Sequence, residues 1–142
     1  MSSLINFFFG ELLTNAWSFL NIATNHCGDD LYRFEGHAAP RSPSFYLRQV
    51  TSSVNFTTGT DFGDFCHGWL NYQIEHHLWP DLSMRSYQKA QPLVEAICKK
   101  HGVPYVQHNV WWRLKKTVDI IVGNNSMRRY PAEYNRVADM VE

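Results

Sequence analysis

The chain has 142 residues, enough for one domain with a buried core and too few for a multi-pass enzyme. Thirteen basic and thirteen acidic residues cancel, which argues against a dedicated nucleic-acid binder. Aromatics reach 15%, a weight that suits a membrane boundary as well as a dense core.

Residues 4–24 form the one candidate for a membrane span, close to the roughly 20 residues that a bilayer's hydrocarbon thickness requires. On a helix Glu11, Thr14, Asn15 and Ser18 gather on one face, and Phe9, Leu12, Leu13, Ala16, Trp17 and Leu20 cover the other. Such a polar stripe suits a helix packed into a bundle interior, although an amphipathic core helix of a soluble protein has the same pattern. No basic segment precedes the run, so a signal peptide is not expected. Arg33, Arg41 and Arg48 follow it and place its C-terminal end on the cytosolic side.

Residues 28–60 are polar and punctuated by Gly36, Pro40 and Pro43, which predicts a loop with at most short helical pieces. A strand over residues 50–56 is weakened by Ser52, Ser53 and Asn55. Thr60 or Asp61 caps a helix that runs, unevenly through Gly63 and Gly68, to Trp79, where Pro80 stops it. Asp81 or Ser83 opens another toward Ala90, with Pro92 starting its continuation and Gly102 ending it. The last helix covers residues 110–122, with Trp111, Leu114, Val118 and Ile121 along one side, and a polar tail follows over residues 124–142. Arg113, Lys115 and Lys116 with Arg128 and Arg129 make this third locally basic; a solvated helix face is the plain reading, and contact with anionic headgroups the functional one.

Cys27, Cys66 and Cys98 are odd in number and lack C-x-x-C spacing, so ordinary thiols in a reducing compartment are expected. Asn55-Phe56-Thr57 matches a glycosylation acceptor that a cytosolic setting would leave silent.

The most informative segment is Gln73-Ile74-Glu75-His76-His77-Leu78-Trp79-Pro80. On a helix, positions 73, 76 and 77 lie on one face, and the adjacent imidazoles project about 100° apart, so they can serve different metals or one metal and its surroundings. Neutral imidazole suits iron, copper, nickel and zinc; two surface histidines beside Glu75 are the plain alternative. A second candidate is Asn25-His26, at the end of the first helix, where a lone histidine is ordinarily structural. Asp29 and Asp30 read as a solvated turn with Arg33 nearby. His37, His67, His101 and His108 are assigned to no metal.

Gln73-x-x-His76-His77 followed by Leu78-Trp79-Pro80 resembles the third histidine box of membrane fatty acid desaturases, in the branch where glutamine replaces the first histidine. Gln49-Val50-Thr51 and Asn55 resemble the stretch before that box. Pro80, Tyr87, Pro92, Val94 and His101-Gly102-Val103-Pro104-Tyr105 resemble the cytosolic cap after it, and Asn25-His26 the additional histidine after the last span. The resemblance implies an all-α C-terminal portion: one membrane-embedded helix over 4–24, a loop over 28–60, a helical cytosolic cap over 61–123 and a tail. It implies His26, His76 and His77 as ligands of a diiron centre, Gln73 as ligand or neighbour of a ligand, and Asn25 and Asn55 as supporting groups. The family uses dioxygen and two electrons, from ferredoxin or cytochrome b5, to place a cis double bond in an acyl chain carried by lipid, CoA or carrier protein. The first two boxes, of H-x-x-x-H and H-x-x-H-H type, are absent, and three histidines cannot fill two irons. The expectation is therefore a chain that depends on an N-terminal half and is inactive alone. A related diiron lipid hydroxylase, a non-catalytic remnant or regulatory half, and a small soluble helical domain are the alternatives.

Overall fold

The computed structural model describes residues 2–130, which are mostly helical. The first helix begins as α1 (Ser2–Ser18), passes through a π-turn (Phe19–Ala23) and finishes as α2 (Thr24–His26). The wider turn alters the register of backbone acceptors, and local side chains take them up. Asn21 Nδ2 donates to Trp17 O at 2.9 Å, Thr24 Oγ1 to Leu20 O at 2.7 Å and Asn25 Nδ2 to Asn21 O at 2.8 Å.

The expected membrane span is corrected here. No helix among the described residues is long and apolar enough to cross a membrane. Glu11, Thr14 and Asn15 interrupt the apolar run of α1, and the π-turn at Phe19–Ala23 follows it. Residues 2–17 are all exposed, Glu11, Thr14 and Asn15 of the polar stripe included, and Ser18 is half-buried.

The expected loop contains a true helix, α3 (Pro43–Thr51). Ser42 caps it by accepting from Phe45 N at 3.1 Å, and Pro43 fits the first turn, where no amide partner is needed. The weak strand reduces to β2 (Asn55–Phe56), paired in parallel with β3 (Gln107–His108). A second parallel pair joins β1 (Tyr32–Arg33) to β4 (Arg128–Arg129). The all-α expectation is thus amended by two short ladders, and residues 131–142 of the expected tail lie outside the described residues.

One helix from 61 to 79 was expected, and the chain makes three pieces. α4 (Asp61–Cys66) starts at Thr60, whose hydroxyl accepts from Gly63 N at 3.0 Å. Gly68 and Trp69 then both take positive φ, 61° and 57°, and reverse the chain before a 3-10 turn (Leu70–Tyr72) and α5 (Gln73–Leu78). A left-handed tryptophan is costly, by roughly 1–2 kcal/mol. Its amide is held by the carbonyl of Asp64 at 2.8 Å. The buried Asp64 carboxylate accepts from Asn71 Nδ2 and Tyr72 OH, both at 2.8 Å, and from Thr58 Oγ1. Burial and that carboxylate together push the Tyr72 phenol up to about 12.

α6 (Met84–Lys100) runs unbroken with Pro92 inside it. It ends at Gly102, where φ is +67°, and Val103 N closes the turn on Cys98 O at 2.9 Å. Val50 of α3, Ile74 of α5 and Val94 and Cys98 of α6 form the core, with Leu78, Val103 and Tyr105 against it. α5 therefore turns Ile74 and Leu78 into this core and Gln73 and His77 toward α2.

α7 (Val110–Ile121) has the expected span and the opposite orientation. Its apolar side looks outward, with Trp111 69% and Ile121 65% exposed, while Arg113 and Thr117 are buried. Arg113 is no member of a solvated face; it pairs with Asp30, and Lys116 pairs with Asp29 and Asp30. Asp29 and Asp30 are accordingly anchored by α7 rather than by Arg33. Asn55 is fully buried, which removes the glycosylation reading.

Candidate metal centre

His26 and His77 come together from positions 51 residues apart, with ring centroids 5.0 Å apart. Gln73, one turn before His77 on α5, fills the space between them. Its Nε2 lies 2.8 Å from His77 Nε2 and 3.3 Å from His26 Nε2. The amide is oriented by Asn25 Nδ2, which approaches Gln73 Oε1 at 3.4 Å and also donates to Leu70 O at 3.0 Å. Asn25 Oδ1 is buried without a hydrogen-bond partner.

The far sides of the rings are tied to oxygen. Gln49 Oε1 on α3 lies 2.8 Å from His77 Nδ1. A carbonyl oxygen can only accept, so Nδ1 carries the proton and the Nε2 lone pair points at the gap. Tyr87 OH on α6 lies 3.2 Å from His76 Nδ1 and 3.1 Å from Pro80 O. The phenol donates to that carbonyl and accepts from Nδ1, which again leaves Nε2 with a lone pair. His26 bonds to the Ser52 backbone. Burial lowers the His26 pKa despite that bond, and burial together with the neighbouring His26 and His76 lowers His77 to about 4. Both are neutral imidazoles at physiological pH.

His76 diverges from this pair. Its ring stands 85° to that of His77, with centroids 5.9 Å apart, and faces Tyr87. The shared face predicted for Gln73, His76 and His77 is thus realised fully only for Gln73 and His77, which are one turn apart, while His76 projects about 100° from its neighbour. His67, assigned to no metal, bonds Asn21 Oδ1 through Nδ1 and lies against Phe56. Asn55 touches no imidazole. It holds α5 from behind, accepting from Ile74 N at 2.9 Å and donating to Glu75 Oε2 at 2.7 Å. Tyr105 OH donates to Glu75 Oε1 at 2.9 Å. Burial raises the Glu75 pKa against these two donors.

Among the described residues no group of three or more His, Cys, Asp or Glu side chains is disposed to hold a metal ion. The donors fit iron as part of a shell: His26 and His77 are neutral imidazoles whose Nε2 atoms converge on the Gln73 amide, which a bound metal would displace. Sequence reasoning quoted Gln49 and Tyr87 only as part of a resemblance and gave them no role. Neither is linked to a histidine by helical spacing, so no local signal marks them.

A model of the fatty acid desaturase family matches residues 3–109. The chain is 34% identical over 110 residues to a Delta(8)-fatty-acid desaturase of Euglena gracilis, covering 74% of this chain and 24% of that protein. It is 30% identical over 104 residues to Delta(5) fatty acid desaturase A of Dictyostelium discoideum, covering 70% and 21%. An NADPH-dependent stearoyl-CoA 9-desaturase of Mycobacterium tuberculosis is 34% identical over 107 residues, covering 70% and 25%. The matched stretch spans no more than about a quarter of the length of these relatives. No solved structure matches the chain.

Proposed function

Because this chain belongs to the fatty acid desaturase family, we propose that it is the C-terminal portion of an oxygen-dependent diiron desaturase that introduces a cis double bond into an acyl chain. The observation that carries this reading is the convergence of His26 and His77 on the Gln73 amide from two separate helices. His26, His76 and His77 hold iron in this proposal, and Gln73 lies beside it or binds weakly. An unactivated methylene has no acidic proton, so no side chain here can remove its hydrogens by acid–base chemistry; bound iron supplies the oxidising chemistry.

The chain's own residues do the holding. Gln49, Tyr87 and the Ser52 backbone fix the rings, burial keeps His26 and His77 unprotonated, and Asn25 sets the amide between them. The N-terminal half of the enzyme provides the remaining ligands, since three imidazoles fall short of two iron shells. α1, exposed from Ser2 to Trp17 with Leu4, Phe7, Phe8, Leu12 and Leu13 outward, is the part assigned to membrane association. The body after it lies on the cytosolic face, and the substrate is an acyl lipid, acyl-CoA or acyl-carrier protein, with ferredoxin or cytochrome b5 as electron donor.

The test is co-expression of this chain with the N-terminal half of a relative that carries the other two boxes. Iron content and acyl products are then measured in the membrane fraction. Iron loading and a new double bond, both lost in His77→Ala, are the expected result. Product formation that persists in His77→Ala overturns the assignment.

A further inference from the structure

We propose that Arg113 is a positioning residue for His26, setting where that imidazole stands against Gln73 and His77. The inference rests on the reading of His26 as a ligand, and its geometry stands independently of any metal. α2 stops at His26, because Cys27 turns extended at φ −131° and ψ 122°. The final carbonyls of such a helix lack intrahelical partners and carry the negative end of its dipole; Val54 N satisfies Asn25 O at 3.1 Å, and Thr24 O and Cys27 O are left to side chains. Arg113, on α7 and 89 residues away from Thr24, supplies the missing donors. Its Nε donates to Thr24 O at 3.3 Å and its Nη2 to Cys27 O at 2.9 Å. The two carbonyls bracket His26, so one rigid guanidinium plane fixes the backbone on both sides of the ring. Thr117, one turn along α7, donates to the same Cys27 O at 3.3 Å.

The guanidinium cannot drift, because it is fully buried and its Nη1 meets both Asp30 oxygens, at 2.7 and 2.8 Å. Gly28 makes the room. A Cβ there would overlap Arg113 Nη2 and stand 2.7 Å from Asp30 Oδ1. Lysine at 113 would keep the charge and lose the fork that spans two carbonyls and a carboxylate.

The experiment compares the full chain in detergent micelles with Arg113→Lys and Gly28→Ala, using Thr60→Ala as a control that weakens a different helix cap. Histidine-ring 15N NMR reads the imidazoles without metal, and Co2+ titration reads their use as ligands. Both site variants should shift the His26 ring signals and weaken Co2+ about 10–100-fold, the usual cost of disturbing a ligand's support. Thr60→Ala should lower thermal stability with neither change. Unmoved His26 signals in Arg113→Lys, with the chain still folded, would overturn the proposal, as would equal shifts in Thr60→Ala. If the signals move but His26→Ala binds Co2+ as the parent does, the positioning role stands and the ligand reading fails.

Discussion

Gln49 and His77 meet across two helices at 2.8 Å, and that contact decides which imidazole nitrogen is left to bind. Gln49→Leu removes the acceptor and frees the ring to change tautomer or rotate. Iron or Co2+ affinity of the assembled enzyme should fall by about 10–100-fold. Gln49→Glu should retain most of it, since a carboxylate also accepts from Nδ1. Metal titration checks both; equal affinity in Gln49→Leu would show that the contact has no role.

His76→Ala and His77→Ala in the assembled enzyme should each abolish product and leave membrane recovery unchanged. His67→Ala should be milder, because that ring bonds Asn21 and not the Gln73 amide. Tyr87→Phe keeps the ring against His76 and loses one hydrogen bond, worth about 1 kcal/mol. A few-fold loss in metal affinity is the expected reading. Product assays and metal content distinguish these ranks.

Asn55→Leu strips the fully buried Glu75 of one donor and frees the amide of Ile74. A buried acceptor without its partner costs about 1–3 kcal/mol, and more for a charged one. Denaturant unfolding should register at least that loss. Tyr105→Phe, which removes the other Glu75 donor, should cost less, since Asn55 remains. The two losses should be non-additive in a double variant, as they share one carboxylate.

Asp30 gives a pH dependence of defined sign. Burial works to raise its pKa, and the Arg113 hydrogen bond and charge, with Lys116, bring it below the usual carboxylate value. A depressed folded pKa stabilises above the unfolded value, about 3.9, and the gain disappears as pH falls through the folded one. Melting temperatures should therefore drop on acidification through that window. Asp30→Asn, lower throughout because it strands a buried guanidinium, should show a shallower drop. Breaking such a pair costs about 3–5 kcal/mol.

Much of the local structure was legible in the chain. Thr60 as a cap, Pro80 as a stop, the bounds of α7 and the one-face placement of Gln73 and His77 follow from backbone periodicity and capping chemistry. The break at Gly68 and Trp69 was not legible, because a tryptophan in a left-handed conformation contradicts its own preference and is held by Asp64. The π-turn was equally hidden. Asn21 and Thr24 read as ordinary polar residues, and Asn25 only as a supporting group beside His26, until their bonds to carbonyls four residues back are seen.

The sequence alone determined that helices form and that a QxxHH segment ends one of them, since those properties depend on neighbours within a turn or two. Tertiary structure decided the rest: His26 beside His77, Gln49 behind it, Arg113 buried beneath Gly28, and the apolar side of α7 facing outward. The first three join residues 51, 28 and 85 positions apart, and the last sets the orientation of a whole helix face. Packing and charge pairing fix such relations, and no local repeat encodes them.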